Sequence, residues 1–252
     1  MNITWDEEEY ENNFSFVHQY GQDVLNLLDA ARGATVLDLG CGNGALTQVL
    51  ADACYNAIGL DDSADMLAAA RADHPNLEFI QANAIDFTLD ALVDAVFSNA
   101  VLHWIDREDQ PALLASVYRA LKPGGEFVFE CGGFGNANLV HTALAEAFAK
   151  RGLTYSLDKY FPSIGEYATM LEATGFKVVF ATLFDRFTPL AGESGLAEWI
   201  ALFQSNSFEG MSEQERDTLI QEAVEATRSE LYVNGTWHVD YVRLRMKAIK
   251  PE

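Results

Sequence analysis

The sequence predicts an α/β fold: a seven-stranded, mostly parallel sheet with helices on both faces and a helical cap. Two observations predict it. The first is a short apolar strand, Thr35 to Leu39, that turns on Gly40, Gly42 and Gly44 and enters a helical pattern from Ala45 to Ala53. The second is the alternation that follows, with strand-like runs at Tyr55–Leu60, Leu77–Gln81, Leu92–Ser98 and Glu126–Cys131 separated by helical segments. Strands alternating with helices at this spacing form parallel sheets with right-handed crossovers. Phe176–Phe184 and Thr236–Ile249 supply the sixth and seventh strands.

Each element has a local reason. Glycine permits positive φ and removes the side chain where a ligand must approach the backbone. A strand, a glycine turn and a helix N-terminus in that order make a nucleotide-binding crevice. Ser63 is placed to cap the helix after strand two, with Met66 and Leu67 facing inward. Pro111 suits the first turn of the helix that runs to Leu121. The segment Gly132-Gly133-Phe134-Gly135-Asn136 reads as a mobile loop at a strand's carboxyl end. A helix follows from Asn138 to Arg151, and Ser163 caps another that reaches Thr174, with Gly175 as its C-cap. Trp5 to Ala31 is one amphipathic segment, with Phe14, Val17, Val24, Leu25 and Leu28 at helical spacing.

Composition bounds the function. The chain has 252 residues and a formal charge of −22. Such a surface repels nucleic acid and anionic membranes, which points to a small-molecule substrate. No apolar run approaches the ~20 residues of a membrane helix, and the acidic N-terminus has no signal-peptide pattern. A cytoplasmic protein, monomer or homodimer, is expected. Cys41, Cys54 and Cys131 lack metal-ligand spacing and read as reduced thiols, so no metal is expected.

The glycine turn leaves two ligands open. Gly40-x-Gly42-x-x-Ala45 fits a loose dinucleotide pattern, which would make the protein a nicotinamide-dependent oxidoreductase. Asp38, inside the turn's fingerprint, repels a pyrophosphate but suits a cation such as the ammonium group of S-adenosylmethionine. Asp61, ending strand two, is placed to accept a ribose hydroxyl pair.

Three motifs together carry a resemblance. Asp38-Leu-Gly40-Cys-Gly42-Asn-Gly44, Gly59-Leu-Asp61-Asp-Ser63-Ala-Asp-Met66-Leu and Leu121-Lys-Pro-Gly-Gly125, which reads as a turn before strand five, resemble the motifs of class I S-adenosylmethionine-dependent methyltransferases. Asn99-Ala-Val-Leu-His103-Trp104 and the lead-in helix resemble the trans-aconitate methyltransferase branch. The resemblance implies a Rossmann-like sheet whose antiparallel last strand inserts beside strand five. It implies S-adenosylmethionine as cofactor and S-adenosylhomocysteine as product.

The resemblance also implies roles. Gly40, Cys41, Gly42 and Gly44 bring the backbone to the methionine and ribose portion, and Asp38 attracts the ammonium group. Asp61 accepts the ribose hydroxyls, Asp62 and Met66 border the adenine, and Ala84 and Ile85 cover its face. Asn83 departs from the family's usual aspartate; its amide carbonyl is expected to accept from the adenine amino group. Asn99 completes the cofactor set. Residues 1–33 are expected to form a helical lid, and about 186–234 a helical cap inserted in a methyltransferase domain of 34–252.

The substrate pocket is expected to take Tyr10, His18, Gln19, Tyr20, His103, Trp104 and Trp199. His103 is the one candidate general base, needed for a hydroxyl or amine acceptor and not for a carboxylate oxygen. A carboxylate would need a cation, from Arg151, Lys159, Arg186, Arg243 or Arg245. The expected function is methyl transfer to a small molecule, with a non-catalytic S-adenosylmethionine-binding protein as a further alternative.

Overall fold

The computed structural model describes residues 23–252. Its sheet runs β3-β2-β1-β4-β5-β8-β6, with β7 paired to β8. The strands are β1 Thr35–Leu39, β2 Asn56–Asp61, β3 Glu78–Gln81, β4 Val93–Asn99, β5 Leu121–Gly132, β6 Lys177–Pro189, β7 Tyr232–Val233 and β8 Thr236–Ile249. β1 pairs in parallel with β2 and β4, β2 with β3, and β4 with β5. The C-terminal strand is antiparallel and lies between β5 and β6, as the resemblance implies.

The sheet has eight strands rather than seven. The addition, β7, forms a two-residue hairpin with β8, pairing Tyr232 with Trp237 and Val233 with Thr236. Asn234 and Gly235 make the turn at φ 52° and 80°. Asn-Gly is the preferred pair where both central residues take positive φ.

Chain contacts divide the protein into two compact units. The first takes the described residues up to Gly133, with Tyr160–Leu183 and Leu244–Glu252; the second takes Phe134–Lys159 and Phe184–Arg243.

In the first unit, alternation along the strands buries both sheet faces, as parallel strands require. Leu37, Leu39, Val96, Phe127 and Phe129 point into one core. There they meet helix α3 (Gln110–Ala120) through Leu113, Leu114 and Val117, and helix α5 (Ile164–Thr174) through Tyr167 and Leu171. Val36, Ala95, Phe97 and Val128 point to the other face. That face is covered by Leu46 and Leu50 of helix α1 (Ala45–Asp52) and by Val24 and Leu28. A charge cluster, buried at Lys247 and Glu126, fixes the segment after Leu28. Lys247 Nζ lies 2.5 Å from Glu126 and 2.6 Å from Asp29, and Glu126 Oε1 accepts the amides of Asp29 and Ala30.

Caps fall where the sequence places them. The Ser63 hydroxyl accepts Met66 N–H at the start of helix α2 (Ala64–Asp73), and Ser163 accepts Glu166 N–H at the start of α5. Gly175 closes α5 at φ 109°. Two local expectations are corrected. Lys122–Gly125 is an irregularity within β5: Leu121 pairs with Val93 and Glu126 with Ala95, so the intervening residues bulge from one continuous strand. The loop expected at Gly132–Asn136 is shorter than that, turning only from Phe134. Gly132 ends β5, and a Cβ on Gly133 would stand 2.4 Å from Leu183 Cδ1. Farther on, Asn136 Oδ1 accepts Val242 N–H at 3.1 Å.

The second unit is built on helices α4 (Asn138–Ala149), α6 (Gly195–Phe203) and α7 (Glu213–Leu231). They bury Val140, Leu144, Phe148, Leu196, Trp199, Ile200, Leu219 and Val224. Ser212 and Glu215 form a capping box at the start of α7.

Candidate functional site

The β1–α1 turn holds its glycines at φ 75° (Gly40), 54° (Gly42) and 82° (Gly44). The turn is packed as well as twisted. A Cβ on Gly40 would lie 2.3 Å from Val101 Cγ2, and one on Gly44 2.8 Å from Phe79 Cζ. Gly40 and Cys41 N–H groups both donate to the Leu60 carbonyl, at 2.7 and 3.1 Å, which ties the turn to the end of β2.

Asp61 completes that tie. Gly42 N–H donates to its Oδ2 and Ser63 N–H to its Oδ1, both at 2.9 Å. Each carboxylate oxygen keeps a second lone pair. Burial pushes the Asp61 carboxyl above its ordinary range despite these two bonds. Asp38 is 2% exposed, and its Oδ2 accepts the Thr47 hydroxyl at 2.6 Å. Burial raises its pKa to about 7, against the Thr47 bond, with the nearby Asp61 charge adding to the rise. Two buried carboxylates at adjacent strand ends make a site that favours a cation.

A cleft is lined by Gly40, Leu60, Asp61, Asp62, Ala82, Asn83, Ala84, Val101 and Ile105. It brings together Gly40, Asp61, Asp62, Asn83 and Ala84 of the expected cofactor set. Leu60, Ala82, Val101 and Ile105 join them there, and Thr47 joins the site through Asp38; none of these is singled out by the sequence motifs. Asn83 Oδ1 accepts Ile85 N–H at 3.1 Å, so its carbonyl is oriented by its own turn. Ile85 packs on the main core. Met66 Cε stands 3.2 Å from where a Cβ of Gly42 would be. The Cys41 side chain is buried with Leu67, Ala70 and Phe79, and that burial pushes its thiol pKa upward. Asn99 ends β4 opposite Glu130, and Ala100 takes a left-handed φ of 62° to leave the strand.

His103 and Trp104 lie on the 3-10 turn Leu102–Trp104. Their ring centroids are 5.5 Å apart, and Phe161 is 5.9 Å from His103. Gly132 N–H donates to His103 Nδ1 at 3.2 Å. Trp199 belongs to the second unit, where its indole N–H donates to Tyr241 Oη at 2.6 Å. Tyr10, His18, Gln19 and Tyr20 lie outside the described residues.

The candidate cations are sorted by their contacts. Arg245 donates twice to the fully buried Glu130, at 2.9 and 2.7 Å. Arg151 forks onto Glu222, and Lys159 pairs with Asp158 at 2.6 Å. Arg186 lies over the Phe184 ring and Arg243 over Tyr241, at 5.2 and 5.7 Å.

Comparison with known proteins agrees with this geometry. Residues 36–125 match the family described as a methyltransferase domain. An uncharacterized methyltransferase of Schizosaccharomyces pombe is 33% identical over 98% of both chains. A trans-aconitate 2-methyltransferase of Deinococcus radiodurans is 32% identical over 78% of this chain and 79% of its own length. Among solved structures, a putative methyltransferase from Bacillus halodurans shares the fold at TM-score 0.67 and 18% identity, covering 93% of this chain and all of that one. The chain belongs to the class I S-adenosylmethionine-dependent methyltransferases. It is an enzyme of that class, with S-adenosylmethionine as its cofactor.

Proposed function

We propose that this enzyme methylates a carboxylate oxygen of a small organic acid in the cytoplasm. The observation that carries the reading is the similarity, over most of both chains, to a trans-aconitate 2-methyltransferase. Among the described residues, no helix is long and apolar enough to cross a membrane.

The residues present fit the cofactor. Side chains at Gly40 or Gly44 would overfill the turn, and the buried Asp38 and Asp61 favour a cationic ligand. Gly40, Cys41, Gly42 and Gly44 would line the methionine and ribose portion. Asp38 would hold the ammonium group; pairing with it would bring its own pKa back down. Asp61, with both oxygens pre-oriented by backbone amides, would accept the ribose hydroxyls. Asp62, Met66, Asn83, Ala84 and Ile85 would enclose the adenine, and Asn99 would close the methionine side. The cofactor supplies an electrophilic methyl group, so the protein's own part is to position the acceptor and exclude water.

His103 and Trp104 would wall the acceptor side. The helices of 186–234, with Trp199, would form a cap that shapes acceptor choice. Calorimetry with S-adenosylhomocysteine, followed by turnover of a panel of carboxylic acids, alcohols and amines, tests the reading. Turnover confined to alcohols or amines would refute it.

A further inference from the structure

His103 sits on a turn held from several sides. Gln110, fully buried at the start of α3, donates from Nε2 to the carbonyls of Leu102 and Ile105, at 2.8 Å each. Gln110 Oε1 accepts the hydroxyl of Tyr167, also fully buried, at 2.9 Å from α5. The His103 carbonyl accepts Tyr160 N–H at 3.0 Å. The ring is fixed by the Gly132 amide, which donates to Nδ1 at 3.2 Å.

A ring nitrogen that accepts a hydrogen bond carries no proton, so in the neutral imidazole the proton sits on Nε2. A general base needs an available lone pair. At Nε2 the pair is already in the N–H bond. At Nδ1 it is directed at the Gly132 amide. The other tautomer, or the charged ring, would set an N–H on Nδ1 against the Gly132 N–H. Both residues are buried, so no water relieves that opposition.

We propose that His103 is a fixed hydrogen-bond donor that moves no proton in the reaction. Gly132 locks its Nε2–H tautomer, and Gln110 and Tyr167 are positioning residues for its turn. The inference rests on the reading of this turn as the acceptor side of the site. With no base at this position, His103 offers no route for a proton to leave the acceptor atom, and an acceptor that arrives already deprotonated needs none. A carboxylate meets that condition at neutral pH, whereas an aliphatic hydroxyl or ammonium group does not. Methylating a carboxylate oxygen forms one O–C bond and breaks one C–S bond, the C–S pair staying on sulfur. The negative oxygen and the positive sulfur are both neutralised, and no proton remains to be removed.

Long-range 1H–15N correlation spectra of the full-length 15N-labelled protein read the tautomer directly. The chain has five histidines. The His103 ring is assigned by its contact to the Gly132 amide and by its loss in His103→Asn. A neutral Nε2–H ring at pH 7 is expected; an Nδ1–H or charged ring would overturn the proposal.

Kinetics give a second arm, with trans-aconitate and the acid, alcohol and amine panel as acceptors. His103→Asn keeps an acceptor for Gly132 but cannot take a proton. Its kcat is expected to stay within about tenfold of the parent, with the change falling on KM, whereas loss of a general base costs about 100- to 10,000-fold in kcat. A kcat loss above about 100-fold, with KM and S-adenosylhomocysteine binding unchanged, would overturn the proposal. His103→Gln serves if the Asn variant does not fold, and the spectra of the parent protein stand without either. If the acceptor turned over is an alcohol or amine and His103→Asn stays active, the carboxylate reading fails and the assignment of His103 stands.

Discussion

Asp61→Asn separates the two duties of the buried carboxylate. In the parent, both oxygens accept backbone amides, from Gly42 and Ser63 at 2.9 Å. An asparagine offers one oxygen, so its NH2 must face one of these two donors. A charge-assisted bond of about 1.5–3 kcal/mol is lost there, offset in part because a buried charge is removed with it. On the ligand side, one of two ribose hydroxyls loses its acceptor. That predicts a rise of about 10- to 30-fold in Kd for S-adenosylhomocysteine. Asp61→Ala removes both acceptors and should cost about 2–3 kcal/mol of binding, or roughly 30- to 150-fold. Titration calorimetry reads the affinity, and thermal unfolding of the ligand-free protein reads the stability independently. An affinity within threefold of the parent in both variants would refute the ribose assignment. A stability loss without an affinity loss would show that Asp61 only buttresses the glycine turn.

Three further outcomes follow from the same contacts. Asp38, held at about pKa 7 by burial against an ordinary 3.8, should make cofactor affinity fall as pH drops below about 7. Near pH 6, binding should release a proton, which calorimetry in buffers of different ionisation enthalpy detects. The sign for folding is the opposite. Between 3.8 and about 7 the folded state holds the extra proton, so this group's contribution to ligand-free stability declines as pH rises through that window. Gly40→Ala should abolish binding and lower the melting temperature, because its Cβ would meet Val101 Cγ2 at 2.3 Å. Val101→Ala in the same chain should restore part of the melting temperature, the remaining cost of about 1–2 kcal/mol being the left-handed backbone. Lys247→Met should cost about 3–5 kcal/mol of stability by leaving Glu126 buried without its ion-pair partner, seen as a lower denaturant midpoint.

What the sequence revealed was local, and what it concealed was distant. The turn from Leu39 to Ala45 is legible because positive φ demands glycine within a few residues. The parallel strands are legible because their apolar runs are bounded by helices. β7 escaped notice because two residues carry no periodicity, although Asn234-Gly235 was a hairpin signal in plain sight. β6 runs on to Pro189, past the expected Phe184, since a strand whose residues are mostly exposed or half-buried shows no clear burial alternation. Lys122–Gly125 read as a turn because glycine and proline mark turns and bulges alike. Val101 against Gly40 is a meeting of residues far apart in the chain, and nothing in composition announces it; Thr47 under Asp38 is only nine residues on, but no motif marks it. Gln110 is the sharpest case. A glutamine beginning a helix reads as surface, yet its amide satisfies two carbonyls and a tyrosine hydroxyl inside the core.

The most direct measurement is the fate of a labelled methyl group. Full-length enzyme would be incubated with methyl-labelled S-adenosylmethionine and trans-aconitate or related small acids, and the product treated with mild base. Carboxylate methylation predicts label in an ester that base releases as methanol. Label found only in base-stable ethers or methylamines, with no ester from any acid tested, would contradict the account.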